Sequence, residues 1–487
     1  MPEETAPQPG RSRTIPPGVH LFTNLLLVPP LLYLSLGLAY VLLLLAHNQF
    51  QSRRLLLASL ALGCLMGGGL ALCWVRTRWK AQLVLFGSTL FGMLFLLEVF
   101  LAFRGRDYAD LSRIARHCHR LGLPYDDRTG LEVILAARAR GARAYPCVHP
   151  SAFWSGMYQF DLHSQPLIPL GGVSDAYTVV QNEFGYWFTY QSDERGFHNP
   201  PGLHAPGPLE VVLLGDSCTQ GCSVRSEESF AALLRADYPR TLNLGLRGNG
   251  PLTELASLRE YGAPHRPRAV LWFFYEGNDL ADLEQEKRTD LARYLEPGYR
   301  QPLYAETHEL NQALARWADQ QVAREANYVV GQRDLRHYEP WTSILLFRRL
   351  RQARALLQGG PDAALPLAGD PGSQAARVAQ PDFDTFGTVL ARAREEVRGW
   401  GGTLVFFYLP QYSRYSDPSR YQDPCVPVPA LVRRLGIPFV DLRDSFRRVP
   451  DPLALFPFRE AGHYTPEGYR LVADAARKEL QRLLPRR

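Results

Sequence analysis

Four separated segments carry residue types that can do chemistry at one edge of an α/β sheet. The first is Val211-Val212-Leu213-Leu214-Gly215-Asp216-Ser217, a short apolar strand that stops in a glycine, an acid and a hydroxyl. A parallel sheet delivers reactive groups beyond the carboxyl ends of its strands, which makes Ser217 the first catalytic candidate. The second, Asn243-Leu244-Gly245-Leu246-Arg247-Gly248-Asn249-Gly250, is a glycine-rich turn whose backbone N–H groups can approach a reacting oxygen closely. The third, Glu276-Gly277-Asn278-Asp279, sets an amide side chain at the same edge. The fourth, Glu460-Ala461-Gly462-His463, brings an imidazole in front of a final helix predicted from Pro466 to Leu483. No Cys or His spacing of the zinc-ligand type occurs, so neither a metal nor a cofactor is expected.

These residues need a scaffold that brings strand ends together. From Leu209 onward, apolar runs alternate with helical patterns: Val211 to Leu214, Thr241 to Leu244, Ala269 to Tyr275, Thr403 to Leu409 and Phe439 to Leu442. Such alternation predicts an α/β domain over 209–487, with about five parallel strands covered by helices on both faces. An insertion at about 280–400 separates the third and fourth strands. It is helical in pattern as far as Leu357, and a Gly-, Pro- and Ala-rich stretch from Gly359 to Pro381 reads as a flexible surface loop. Ahead of the domain, 104–208 reads as a connector and apron, with helices at Asp107 to Leu121 and Arg128 to Arg140 and strand-like pieces at Tyr177 to Gln181 and Tyr186 to Tyr190. Asp193-Glu194-Arg195-Gly196-Phe197 reads as a turn anchored by its Phe.

The ordered set Ser217, Gly248, Asn278 and His463 resembles the four blocks of the SGNH hydrolase superfamily, the GDSL esterases and lipases. The resemblance runs from about Leu209 to the C-terminus, interrupted by the insertion. It implies a three-layer α/β/α, flavodoxin-like fold and acyl transfer through a covalent intermediate. In that scheme His463 takes the proton of Ser217, whose oxygen attacks an ester carbonyl. The tetrahedral oxyanion would be held by the backbone N–H groups of Ser217 and Gly248 and by the Asn278 amide. The family places an Asp three residues before the His, where this chain has Glu460. Glu460 is therefore the expected triad acid, with Asp441 and Asp444 as alternatives, and Asp216 is expected to brace its turn.

Apolar residues concentrate near the start of the chain, from about His20 to Ala46, Leu55 to Val75 and Ala81 to Phe103. Each run reaches the ~20 residues that cross a bilayer core as a helix, so 20–103 reads as three transmembrane helices behind a disordered tail, 1–19. Arg53 and Arg54 separate the first two runs, and Arg76, Arg78 and Lys80 the last two. Gly63 and Gly67 have the GxxxG spacing that permits close helix contact. Basic residues in the tail (Arg11, Arg13) and second loop outnumber those of the first loop, which favours an N-terminus inside. An odd number of spans then makes the protein a multi-pass cell-membrane protein with an extracytoplasmic catalytic domain.

The formal net charge of +6 is not gathered into a basic stripe with interleaved aromatics, so no nucleic-acid partner is expected. Of seven cysteines, Cys64 and Cys73 fall in the second apolar run, and the other five permit up to two disulfides. Taken together, the leading expectation is a membrane-anchored serine esterase acting on an acylated carbohydrate or lipid of the envelope. Two others stand beside it: an O-acyltransferase modifying a polysaccharide with an acyl-donor membrane partner, and a non-catalytic scaffold with a degenerate hydrolase domain.

Overall fold

The structure is a computed structural model. It describes residues 16–47, 53–75, 78–104, 113–154, 161–162, 165–305, 307–336, 381–419, 421–460 and 462–485. The chain divides into two compact units, one of residues 1–110 and 330–365 and the other of residues 111–329 and 366–487.

The first unit contains helices α1 (Pro17–His47), α2 (Arg53–Leu72) and α3 (Arg78–Arg104). Two segments are long and apolar enough to cross a membrane, Pro17–Ala39 and Trp79–Phe100, and only 17% and 11% of their most apolar windows are buried. A soluble core helix covers its apolar side chains with protein. Here Leu21, Phe22 and Leu25 of α1 and Phe86, Met93 and Leu96 of α3 are exposed instead. The expected third span is not found among the described residues. Within α2, only Ser59–Leu72 stands out as an apolar segment among the described residues, shorter than the two spans. A turn at Cys73 and Trp74 ends it. The tail expected at 1–19 lies outside the described residues as far as 15, and α1 already begins at Pro17. Close approach of α1 to α2 falls at Gly69, where an added Cβ would lie 2.7 Å from Leu31, and not at Gly63 or Gly67, which face open space.

The second unit begins with α4 (Arg113–Leu121) and α5 (Gly130–Ala139), the latter opened by a Thr129/Glu132 capping box. A small sheet follows, β1 (Ala144–Pro146), β2 (Tyr177–Gln181) and β3 (Phe188–Gln191), in that order. β1 and β2 are parallel, and β2 and β3 form an antiparallel hairpin. The main sheet comprises β4 (Val211–Gly215), β5 (Thr241–Asn243), β6 (Ala269–Tyr275), β7 (Thr403–Leu409) and β8 (Phe439–Asp441). All five strands are parallel, in the order β8-β7-β6-β4-β5. With β4 as first strand this is the flavodoxin-like order, and its switch point lies between β4 and β6, where such sheets open a crevice for ligands.

Alternation along the strands builds the layers. Val212, Leu214, Val270, Trp272 and Phe274 point to one face with helices α8 (Pro251–Ser257), α11 (Phe383–Gly399) and α12 (Val428–Arg434). Val211, Leu213, Leu271, Phe273 and Phe407 point to the other, with α7 (Phe230–Arg235) and α13 (Pro466–Leu483). A strand buried on both faces has to be apolar at every position, which is what the continuous runs of β4 and β6 provide. Between the third and fourth strands come α9 (Asp279–Glu286), α10 (Thr307–Arg336) and α11; the loop expected from Gly359 lies outside the described residues as far as 380. All seven cysteines are free thiols, with Cys218 and Cys222 packed as buried apolar groups.

Candidate active site

Ser217 is set by a strand that stops sharply. Gly215 has φ +154°, and a Cβ there would lie 2.1 Å from Thr219 Oγ1 and 2.9 Å from the Phe273 carbonyl, so only glycine allows β4 to run straight into the short helix α6 (Ser217–Gln220). Asp216 caps that helix, its Oδ1 accepting from the Cys218 N–H at 2.8 Å, which is the bracing role expected of it. Ser217 follows as the first helical residue, 8% exposed.

The ring of His463 meets this hydroxyl. Ser217 Oγ lies 2.7 Å from His463 Nε2, and on the opposite side of the ring Nδ1 lies 2.8 Å from Glu183 Oε2. The same carboxylate oxygen accepts from the His463 backbone N–H at 3.1 Å and from Ser223 Oγ at 2.7 Å. Both side chains are largely sheltered, 12% exposed for His463 and 17% for Glu183. A carboxylate on Nδ1 fixes that nitrogen as the donor, which leaves the Nε2 lone pair to accept from the serine.

The electrostatics of the pair agree with its geometry. Burial alone would depress the His463 pKa, but the Glu183 charge and its hydrogen bond outweigh burial and raise it above the ordinary histidine value. Burial likewise opposes ionisation of Glu183, yet the imidazolium partner and the Ser223 hydrogen bond hold its carboxyl down at about 2. Such an arrangement can activate a hydroxyl as nucleophile and stabilise the imidazolium that forms as the proton transfers.

The carboxylate that meets the His463 ring is thus Glu183, where Glu460 was expected. Phe458 and Arg459 both adopt left-handed backbone, with φ of +52° and +59°, and turn the chain ahead of Glu460. The Glu460 carboxylate comes to 3.9 Å from His117 Nδ1 and makes no hydrogen bond to His463 among the described residues. Gly462, between them in sequence, leaves room for the true partner: a Cβ there would stand 3.1 Å from Glu183 Oε2. The alternatives are also occupied elsewhere, Asp441 by Arg443 at 2.7 Å and Asp444 by Arg447 at 3.3 Å.

Glu183 comes from the apron, in the connection between β2 and β3, and sequence reasoning missed it. The one available signal was an acid between two strand-like pieces, at Gln181-Asn182-Glu183-Phe184-Gly185. The connection is tied down at both ends. Asn182 Nδ2 donates to the Asp126 carbonyl at 3.0 Å, the Asp126 N–H donates to the Gly185 carbonyl at 2.8 Å, and Trp187 Nε1 donates to the Arg128 carbonyl at 2.9 Å. Phe184 also packs against Phe458, with ring centroids 5.6 Å apart.

The expected oxyanion donors lie at the same strand ends. The turn after β5 is tied to the serine segment, with Arg247 N–H donating to Gln220 Oε1 at 3.0 Å and Asn249 Nδ2 to the Gly215 carbonyl at 3.2 Å. Gly248 in that turn has φ +71°, and a Cβ would strike Ser151 Oγ at 2.5 Å. The N–H groups of Ser217 and Gly248 donate to no backbone acceptor among the described residues. Asn278 follows β6, across the switch point from Ser217, at the residue before α9, where its side chain makes no capping hydrogen bond. Its Nδ2 donates to Asp282 Oδ2 at 2.7 Å, while its Oδ1 is buried without a partner. Asp279 is buried and accepts from the Tyr275 N–H at 2.8 Å, so it closes the end of β6 and does not cap the helix. Asp193 takes the Arg195 and Phe197 N–H groups at 2.8 and 2.9 Å with Phe197 fully buried beside it, the expected anchored turn.

Neither a protein-family model nor a curated protein matches the chain. Among solved structures it is similar to a lipase/acylhydrolase from Enterococcus faecalis, at 15% identity over 57% of this chain and 99% of that one, with a TM-score of 0.31. It is also similar to an acetyl xylan esterase, at 13% identity over 56% and 99% with a TM-score of 0.30. A GDSL-like lipase from Bacteroides thetaiotaomicron matches at 12% identity over 56% and 89%, with a TM-score of 0.29.

Proposed function

We propose that this protein is a membrane-anchored serine esterase that removes O-acyl groups from an envelope glycan, lipid or related ester through an acyl-enzyme. The observation that carries the reading is the unbroken row Ser217 Oγ, His463 Nε2, His463 Nδ1 and Glu183 Oε2, with contacts of 2.7 and 2.8 Å on the two sides of one ring. Proton transfer from Ser217 to His463 accompanies attack on the acyl carbonyl. The imidazolium then gives that proton to the departing alcohol, and water repeats the sequence to release the acid. The N–H groups of Ser217 and Gly248 are the backbone donors available to the tetrahedral oxygen. Two exposed apolar helices, Pro17–Ala39 and Trp79–Phe100, are the anchor. With two spans, the odd-number parity behind an extracytoplasmic catalytic domain loses its premise.

Hydrolysis of a short-chain aryl ester by the full-length protein in detergent tests the reading. Ser217→Ala is expected to lower kcat by roughly a millionfold, as loss of the nucleophile does in other serine hydrolases. Unchanged turnover would exclude Ser217. Adding a sugar acceptor to the same assay measures transfer against hydrolysis, and transfer exceeding hydrolysis would replace the esterase reading with an acyltransferase.

A further inference from the structure

Behind the rim that carries Asn278 lies a group of carboxyls that the reaction above leaves unused. Asp279 and Glu286 are fully buried on α9, and Glu254 is fully buried on α8. Two of them have structural employment: Asp279 binds the Tyr275 N–H, and Glu286 accepts from the Gly250, Leu252 and Thr253 N–H groups at 2.9, 2.8 and 3.1 Å. Asp282 stands apart. Its carboxylate takes the Asn278 side-chain amide at 2.7 Å, and its Cβ lies 2.9 Å from where a Cβ on Gly250 would stand. It therefore touches both the turn that holds Gly248 and the amide expected to face the reacting oxygen.

The orientation of that amide matters. An oxyanion needs donors, whereas here the N–H end of Asn278 is turned to Asp282 and the end left buried and unpartnered is the acceptor Oδ1. An ionised carboxylate accepts only, so it holds the amide this way round; a carboxylic acid has one O–H to give. We propose that Asp282 is a positioning residue that sets which end of the Asn278 amide faces the reacting oxygen, its protonated form selecting the donor end. The acid O–H then donates to Asn278 Oδ1, the amide turns half a revolution about its Cβ–Cγ bond, and Nδ2 takes the place now held by the unpartnered oxygen. The proton stays on Asp282 throughout turnover.

The surroundings favour the protonated acid. Burial pushes the Asp282 carboxyl well above the usual range, and the negative charges of Glu286 on its own helix and Asp216 on the serine turn add to it. Glu254 from α8 is driven the same way by burial and the charges of Asp216, Glu286 and Asp282, and Asp279 from the start of α9 by burial and the charges of Glu254 and Asp216, so these neighbouring groups supply no compensating cation. The inference rests on the esterase reading, since it assigns Asn278 to the oxyanion.

The test follows aryl ester hydrolysis by the full-length protein from acid to alkaline pH, for the parent chain, Asp282→Asn and Asp282→Ala, with Ser217→Ala as control. In the parent, kcat is expected to fall on the alkaline side as Asp282 ionises and turns the amide away. Asp282→Asn can donate to Asn278 Oδ1 at every pH, so it keeps kcat close to that of the parent and loses the alkaline limb. Asp282→Ala lowers kcat about a hundredfold with little change in KM, the effect of losing one oxyanion donor. The inference is overturned by a parent profile without an alkaline limb, by an Asp282→Asn profile that retains it, or by an Asp282→Ala enzyme with parental kcat. Should Asp282→Ala fail to fold, the Asn profile decides. Activity surviving in Ser217→Ala would instead overturn the esterase reading itself.

Discussion

The edge of the main sheet and the β2–β3 connection of the apron supply the two ends of the Ser217–His463–Glu183 row by different means. At the sheet edge, position follows from local rules. β4 is buried at all five residues and paired on both sides, with Gly215 opposite Phe273, so the residue two beyond its end can only emerge at the switch point. In the apron, position follows from distant contacts. Glu183 lies 280 residues from His463 and is brought to it by Ser223 and by hydrogen bonds to residues 126 and 128. A serine at a strand end can thus be read from the sequence, whereas the carboxylate that meets the histidine can be recruited from outside the α/β layers by whatever segment covers them.

Neutralising the apron's contribution should have the larger effect. Glu183→Gln keeps the shape and removes the charge that stabilises the imidazolium, so kcat is expected to fall on the order of 10⁴-fold, as loss of the acid does in serine proteases. Ser223→Ala removes one hydrogen bond to the same carboxylate while leaving the His463 contact, and about a tenfold loss in kcat is expected from a charge-assisted bond of ordinary strength. Glu460→Gln, at the family's usual acid position, is expected to change kcat by less than about threefold, the scale of a partly exposed ion pair. All three are measured with the same aryl ester. The ranking breaks if Glu460→Gln is the most damaging, because the acid would then belong to the segment before His463 after all.

The same contrast explains what was legible in the sequence. The five strands were visible because each is an apolar run between helical patterns, and Val211–Gly215, Ala269–Tyr275 and Thr403–Leu409 form where those runs predict. Ser217 and His463, brought into contact in the structure, were visible because each sits at a boundary, between strand and helix or just before the helix Pro466–Leu483. Glu183 was hidden because its role depends on the hairpin reaching across to His463, and on two left-handed residues turning Glu460 aside, neither of which leaves a periodic trace. In the first unit, composition makes α2 look like a third span; among the described residues, only Pro17–Ala39 and Trp79–Phe100 are long and apolar enough to cross a membrane.

The most direct test of the central claim, that Glu183 holds His463, is the pH dependence of kcat/KM for aryl ester hydrolysis in Glu183→Gln. The working form of His463 is the neutral base, so activity rises as pH rises through its pKa, which Glu183 holds above the usual histidine value against burial. Without the charge, burial acts unopposed by that partner, and the acid limb is predicted to move to lower pH while the residual rate falls. An acid limb that stays at the parental pH in Glu183→Gln, and moves instead in Glu460→Gln, would contradict the account.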